Sequence, residues 1–282
     1  MKSVVIIPNP NKDSGLSVTA RLVGKLTSLG LSVYIEKTFS AISGALPYSE
    51  FPTDAELIIV VGGDGSVIEA SRLAIENGIA IIGVNLGRVG YLTEVEPSNT
   101  DVFERLISGE YEIEEKMLLS VDTVCEGANE ASECLAVNDV VISHDNFLGI
   151  CEFSLKNKND DGVNYRADGV VIATPEGSTA YSLSAGGPIV SHGVGAMVVT
   201  PVCPHSFFNR SIIFKSDEKI TVSNLGGGEL NICTDGRFYK KLRCGESCTV
   251  YASEKRLKML TFTKDNMFAT LFKKMRILED VK

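Results

Sequence analysis

The first third of the chain alternates short apolar runs with amphipathic stretches, and this alternation constrains the fold more than any other feature. The order is "SVVIIP" at 3–8, "LSVTARLVGKLTSLG" at 16–30, "LSVYIE" at 31–36, "AELIIVV" at 55–61, "SVIEASRLAIENG" at 66–78 and "IAIIGV" at 79–84. Runs that are apolar on both faces read as strands of a parallel sheet covered by helices. In the first helix candidate Leu16, Ala20, Val23, Leu26 and Leu29 recur at steps of three or four residues, and Gly30 supplies the stop.

The period changes after "PSNTDVFERLISGEY" at 97–111, read as a helix entered through Pro97 and Ser98. "MLLSVDTVC", "CLAVNDVVIS" and "GICEFSLKN" alternate with period two and read as strands, with turn clusters such as "NKNDDG" between them. "AMVVTPVC", "SIIFKSDEKITVSNL", "ELNICTD" and "SCTVYAS" continue the strand pattern, and "NMFATLFKKM" is the one late helix candidate. The predicted fold is an α/β N-terminal domain with a parallel sheet, residues 1–110, followed by a mainly β C-terminal domain, residues 111–265. A last segment, residues 266–282, is expected to pack back on the first domain.

A length of 282 residues accommodates two moderate domains. The net charge of -9 argues against a general nucleic-acid binder, whose binding face is normally basic. No apolar run approaches the roughly 18 residues of a membrane helix, and "VVIIP" is too short for a secretory signal core. Cys125, Cys134, Cys151, Cys203, Cys233, Cys244 and Cys248 are odd in number and scattered, unlike a disulfide framework, so the cytoplasm is the expected compartment.

The segment "GGDGS" at 62–66 places Asp64 inside a glycine turn directly after an apolar strand, with Ser66 at the expected N-cap of the next helix. Glycines there bring backbone N–H groups close to a phosphate at the helix N-terminus. The spacing is neither that of a P-loop nor that of the dinucleotide G-x-G-x-x-G signature, where Ile68 replaces the last glycine. A carboxylate beside phosphate is repelled by several kcal/mol in a poorly hydrated site. Either a divalent cation bridges Asp64 to phosphate oxygens, or Asp64 faces a hydroxyl proton that leaves as a phosphoryl group arrives. The plain alternative is a tight turn with an Asp bonded to its own loop.

Residues 165–190, "YRADGVVIATPEGSTAYSLSAGGPIV", are dense in small and hydroxyl side chains, with Tyr181 offering a ring face to a base. Backbone donors, short hydroxyls and one aromatic suit a nucleotide, against the alternative of a Gly-Ser-rich surface loop. In "VNDVVIS" Asn138 and Asp139 interrupt an apolar run, as a strand end does or as ligand-facing polar groups would. His144, His192 and His205 are not paired at metal-ligand spacing, and "CPH" at 203–205 reads as structural.

In order and over nearly the whole chain, "GGDGS", "NLGRVGYL", "VNDVVIS", the long 165–190 segment, "TPVCPHSFFNRSIIF" and "TDGR" resemble the bacterial NAD kinases. The glycine–Asp–glycine turn alone is shared with lipid kinases and phosphofructokinases, whereas the middle segment is specific. The resemblance implies an active site between an α/β and a β-rich domain. It implies phosphoryl transfer from ATP or another donor to the 2'-hydroxyl of the adenosine ribose of NAD, assisted by Mg or Mn. By the family's pattern Asp64 is the general base, and Gly65 lies beside the ribose. Asn138 and Asp139 match the pair that holds the dinucleotide. Asp168 matches an acid that reaches a neighbouring subunit's site, with Arg166 on the same turn, which implies a homodimer or homotetramer. Thr179, Ala180, Tyr181, Ser182, Leu183 and Ser184 match the adenine-binding segment. Tyr91 stands where the family often has Phe, and Arg237 where Gln or Arg follows Asp-Gly. Ser66 replaces the family's Thr, and Glu69 lies where relatives carry a polar or basic residue. No protein ligand for the metal is implied. A lipid or sugar kinase of the same superfamily, and a non-catalytic dinucleotide sensor, are the rival readings.

Overall fold

Residues 1–87, 90–124, 134–144, 149–158, 161–205, 208–263 and 271 are described by the structure, a computed structural model. Two compact units share them: Met1–Glu115 with the segment from Leu257, and Lys116–Arg256. The late helix expected at 266–275 and the terminal segment 266–282 lie outside the described residues, apart from residue 271.

In the first unit β1 (Ser3–Pro8), β2 (Ser32–Glu36), β3 (Leu46–Tyr48), β4 (Leu57–Gly62) and β5 (Ala80–Asn85) run parallel in the order β5-β4-β1-β2-β3. Leu57 to Val61 are all fully buried, as the continuous apolar run requires of a central strand. Each of those side chains contributes about 1.5–3 kcal/mol of transfer free energy. The helix α1 (Ser17–Ser28) buries Thr19, Leu22, Val23 and Leu26. Ala20, expected on that face, is exposed, because the covered stripe runs through Thr19, Leu22, Val23 and Leu26 instead. Gly30 ends the helix in the left-handed region at φ 83°.

The helix α2 (Asp64–Asn77) follows β4 with only Gly63 between them. The helix expected after Pro97 is reduced to a 3-10 turn at Thr100–Glu104 and the short α3 (Arg105–Ser108), stopped by Gly109 at φ 76°.

The second unit is a sandwich of antiparallel sheets. Its strands are β6 (Glu112–Val124), β7 (Cys134–Ala136), β8 (Asp139–His144), β9 (Cys151–Lys156), β10 (Val163–Ala167) and β11 (Gly169–Ala173), then, after the short helix α4 (Tyr181–Ser184), β12 (Ala196–Val202), β13 (Ile212–Lys215), β14 (Lys219–Asn224), β15 (Leu230–Thr234), β16 (Arg237–Leu242) and β17 (Ser247–Thr261). One sheet has the order β10-β9-β14-β17 and the other β13-β12-β11-β8-β15-β16. Their inner faces meet in one core, with Phe153, Tyr165, Val222 and Val250 from the first and Ile142, Val170, Ile172, Val199 and Ile232 from the second. Tyr165 stacks on Phe153 with ring centroids 5.6 Å apart. β17 is long enough to belong to both units: its first half pairs with β14, and Met259 near its end pairs in parallel with Ile81 of β5.

The run "CLAVNDVVIS", read from sequence as one strand, is broken. Val137 and Asn138 form a bend between β7 and β8, and β8 begins at Asp139. Two adjacent polar side chains and the acceptor described below favour a turn there over continued pairing.

Candidate active site

In an open parallel sheet ligands bind beyond the carboxyl ends of the strands, and in the first unit that edge gathers the residues after β1, β4 and β5. Gly63 is extended at φ -115° and ψ -173°, and α2 starts at Asp64, so Ser66 is not the N-cap expected from sequence. It sits inside the first turn, where its hydroxyl accepts a hydrogen bond from the Asn9 side-chain amide at 2.8 Å. Glycine adopts the extended cap without a Cβ clash, and an acid in the first turn suits the helix dipole.

The half-buried Asp64 carboxylate is fixed from a loop beyond β5. Oδ2 accepts the Tyr91 amide at 2.9 Å and Oδ1 the Leu92 amide at 2.9 Å, with the Thr93 hydroxyl at 3.4 Å from Oδ1. A carboxylate has about four lone-pair sites, two on each oxygen, so these contacts set its orientation and leave Oδ2 able to accept another proton donor. Tyr91 thus meets Asp64 through its backbone, and burial followed by the Asp64 charge pushes its phenol up.

Two glycines beside Asp64 differ in what their missing Cβ spares. At Gly63 a Cβ would fall on the Lys12 ammonium and close to Gly87 Cα, so Lys12 lies over the turn. At Gly65 a Cβ would meet nothing within 4 Å, and the backbone is ordinary helix. Glycine in a helix costs about 1 kcal/mol relative to alanine, and neither packing nor a positive φ explains it here. Gly65 is exposed, and the space beside it is open.

In the second unit three turns converge around Asn138. The hairpin between β15 and β16 turns through Asp235 at φ 49° and Gly236 at φ 74°, the positive-φ pair that two-residue hairpins favour. The Asp235 carboxylate accepts the amides of Val137 at 2.8 Å, Asn138 at 2.7 Å and Asp139 at 3.2 Å, and its own amide donates to the Asp139 carbonyl at 3.0 Å. Burial pushes the Asp139 carboxyl up to about 7, and the Asp235 charge adds to this. The Asn138 carbonyl accepts the Thr174 amide at 2.9 Å, and the Thr174 hydroxyl donates to the Val137 carbonyl at 2.7 Å. A side chain at Gly177 would collide with the Asn138 carbonyl, so the 174–180 turn packs there only through glycine.

Within that segment the hydroxyls divide by role. Ser178 donates to the Pro175 carbonyl at 2.6 Å and accepts the Val190 amide at 3.0 Å, while Ser182 shares a 3.2 Å bond with Thr200. These buried groups hold the loop. Thr179 and Ala180 are half-buried, and Tyr181, Leu183 and Ser184 are exposed. The Tyr181 phenol is pushed up by burial, then by the charges of Cys203, Asp168 and Asp139.

The turn after β10 carries Asp168, half-buried, whose amide donates to the Val202 carbonyl at 2.9 Å. Arg166 is exposed and its guanidinium pairs with Glu152 across β9 and β10 at 3.0 Å. Arg237 opens β16 beside Gly236 and is exposed. Asn138, Asp139, Asp168 and Tyr181 thus lie in the second unit, and Asp64, Gly65 and Tyr91 in the first. Sequence reasoning counted Thr174 only among the hydroxyls of the 165–190 segment and passed over Lys12, Asn9 and Asp235. Only Asp235 carried a signal, the Asp-Gly dipeptide of a tight hairpin.

Residues 45–111 match the ATP-NAD kinase N-terminal domain and residues 137–262 the ATP-NAD kinase C-terminal domain. The chain is 34% identical over 278 residues to an NAD kinase of Lachnoclostridium phytofermentans, covering 96% of this chain and 98% of that one. It is 36% identical over 277 residues to an NAD kinase of a Thermoanaerobacter species, at the same coverage. Among solved structures, a yeast NADH kinase complexed with NADH superposes with a TM-score of 0.85 at 21% identity, covering 98% of this chain and 88% of that one. An NAD kinase of Archaeoglobus fulgidus in complex with ATP gives a TM-score of 0.75 at 24% identity, covering 98% and 99%. These two establish likeness of fold. At more than 30% identity over almost its full length, the chain belongs to the NAD kinase family.

Proposed function

We propose that the chain is an NAD kinase, transferring a phosphoryl group from ATP to the 2'-hydroxyl of the adenosine ribose of NAD to give NADP. The observation that carries the reading is Asp64, a carboxylate oriented by two backbone amides at the start of α2 and set beside the empty space over Gly65. Asp64 takes the 2'-hydroxyl proton while that oxygen forms a bond to the γ-phosphorus, and the bond from the γ-phosphorus to the bridging oxygen of the donor breaks. Asp139 and Tyr181, with Asn138, supply polar contacts and a ring face for the dinucleotide. Lys12 faces the donor's phosphates, where a point charge offsets the repulsion that Asp64 introduces. Room for the rest of the donor is supported by a cavity of about 380 Å³ in the first unit, lined among others by Asn9, Phe39, Tyr48 and Ser66.

A divalent cation, Mg or Mn, would neutralise phosphate charge in this reaction. Among the described residues no group of three or more His, Cys, Asp or Glu side chains is placed to hold a metal. Mg commonly binds through substrate phosphates together with few protein ligands. The expected assembly is a homodimer or homotetramer in which Asp168 reaches a neighbouring subunit's ligand, and the setting is the cytoplasm, in keeping with six free thiols among the described residues. Among those residues no helix is long and apolar enough to cross a membrane.

The test is purified protein with ATP, a magnesium salt and NAD, followed by a coupled assay specific for NADP. NADP formation stoichiometric with ADP supports the reading. ADP formation without NADP, or NAD binding without turnover under any donor or metal, overturns it.

A further inference from the structure

Glu176 lies in the turn between β11 and α4, and its side chain is 1% exposed. Neither carboxylate oxygen has a hydrogen-bond partner among the described residues. An ionised carboxylate buried without hydrogen bonds is unfavourable by several kcal/mol unless charge compensates it. Two basic groups stand around it: Lys116 Nζ at 3.5 Å and His192 Nδ1 at 3.3 Å, both measured to the same oxygen, Oε1. Their side chains are 12% and 20% exposed, so the cluster is poorly screened by solvent.

The three residues come from three segments. Lys116 is on β6, Glu176 in the 174–180 turn and His192 in the loop between α4 and β12. From Glu176 the restraint passes directly to the ligand segment, because its carbonyl accepts the Thr179 hydroxyl at 3.1 Å. Ser178 ties the same turn to Val190, two residues before His192. Buried ion pairs add little net stability, yet removing one partner leaves the others uncompensated, so such clusters select one arrangement over its neighbours.

We propose that Lys116, Glu176 and His192 form a buried polar clamp that positions Thr179 to Ser184 for the dinucleotide, with Glu176 as a positioning residue that touches no substrate. The inference rests on the reading of this unit as dinucleotide-binding. Glu176→Gln keeps the shape and removes the charge, leaving two basic groups facing a neutral amide.

The experiment measures kcat, KM for NAD and KM for ATP in wild type, Glu176→Gln, His192→Gln and the double variant, with NAD affinity by calorimetry. The expected result is a rise in KM for NAD of about tenfold in Glu176→Gln, with kcat and KM for ATP within about threefold, since what is lost is placement of one substrate. The double variant should be no worse than Glu176→Gln alone, because both changes break one cluster. Unchanged NAD affinity in a folded Glu176→Gln protein, an equal loss in all three parameters, or additive effects in the double variant would overturn the clamp. Should Glu176→Gln fail to fold, NAD affinity of His192→Gln decides, weakened if the clamp exists and unchanged if it does not. If wild type binds NAD and makes no NADP, the kinase reading fails while the NAD affinities of the variants still judge the clamp.

Discussion

Asp235 holds the Asn138 turn from the neighbouring hairpin: its Oδ1 accepts the Asn138 amide at 2.7 Å, and the same carboxylate also accepts the amides of Val137 and Asp139. Hydrogen bonds to a charged acceptor contribute about 1.5–3 kcal/mol each, and an amide stranded by loss of its acceptor is costly. Asp235→Ala is expected to lower unfolding free energy by about 3 kcal/mol and to weaken NAD binding, with Asp235→Asn intermediate because an amide oxygen is a weaker acceptor. Urea denaturation and NAD titration of the three proteins check both effects.

Asp139 gives the protein a pH dependence opposite to that of a salt-bridged acid. Folded, its carboxyl keeps a proton up to about pH 7, against an ordinary value of 3.8. Between those values the folded state binds more protons than the unfolded one, so stability falls as pH rises through this window and levels off above it. The shift corresponds to at most about 4 kcal/mol. Asp139→Asn should remove that slope, so its stability relative to wild type is greater at pH 8 than at pH 5. Equal pH dependence of the urea midpoint in both proteins would show that Asp139 titrates normally.

Lys12 lies over Gly63 and has no carboxylate partner among the described residues. Its charge is available to phosphate. Lys12→Met is expected to raise KM for ATP by about tenfold while KM for NAD stays within about twofold, an effect that diminishes at high salt. Initial-rate kinetics at two ionic strengths distinguish this from a general loss of activity.

What could be read directly from residues was the part governed by local pattern. The two-faced apolar runs at Leu57–Val61 and Ala80–Val84 specify buried parallel strands with little ambiguity. The long segment 165–190 announces itself through its composition. Boundaries were less legible, because a glycine that ends a strand can also cap a helix: α2 begins at Asp64 instead of after Ser66. The "CLAVNDVVIS" run reads as one strand since nothing local reveals that Asp235, about 100 residues later, supplies an acceptor for a turn at Val137–Asn138. Likewise the division of Ser178 and Ser182 from Tyr181 and Ser184, inward ties against exposed groups, depends on Val190 and Thr200. Lys12 reads as one more surface lysine until the turn after β4 folds beneath it.

The proposed phosphoryl transfer depends on Asp64 as the base that takes the ribose proton. The most direct measurement is single-turnover NADP formation by Asp64→Asn at saturating ATP, magnesium and NAD, alongside calorimetric NAD binding. Asparagine can still accept the Tyr91 or Leu92 amide through its one oxygen, so the fold and the site's shape are expected to survive. Loss of a general base predicts a rate about 100- to 10,000-fold lower with NAD affinity within about threefold of wild type. A rate near that of wild type would contradict the account and leave Asp64 as a structural tie between α2 and the 91–93 loop.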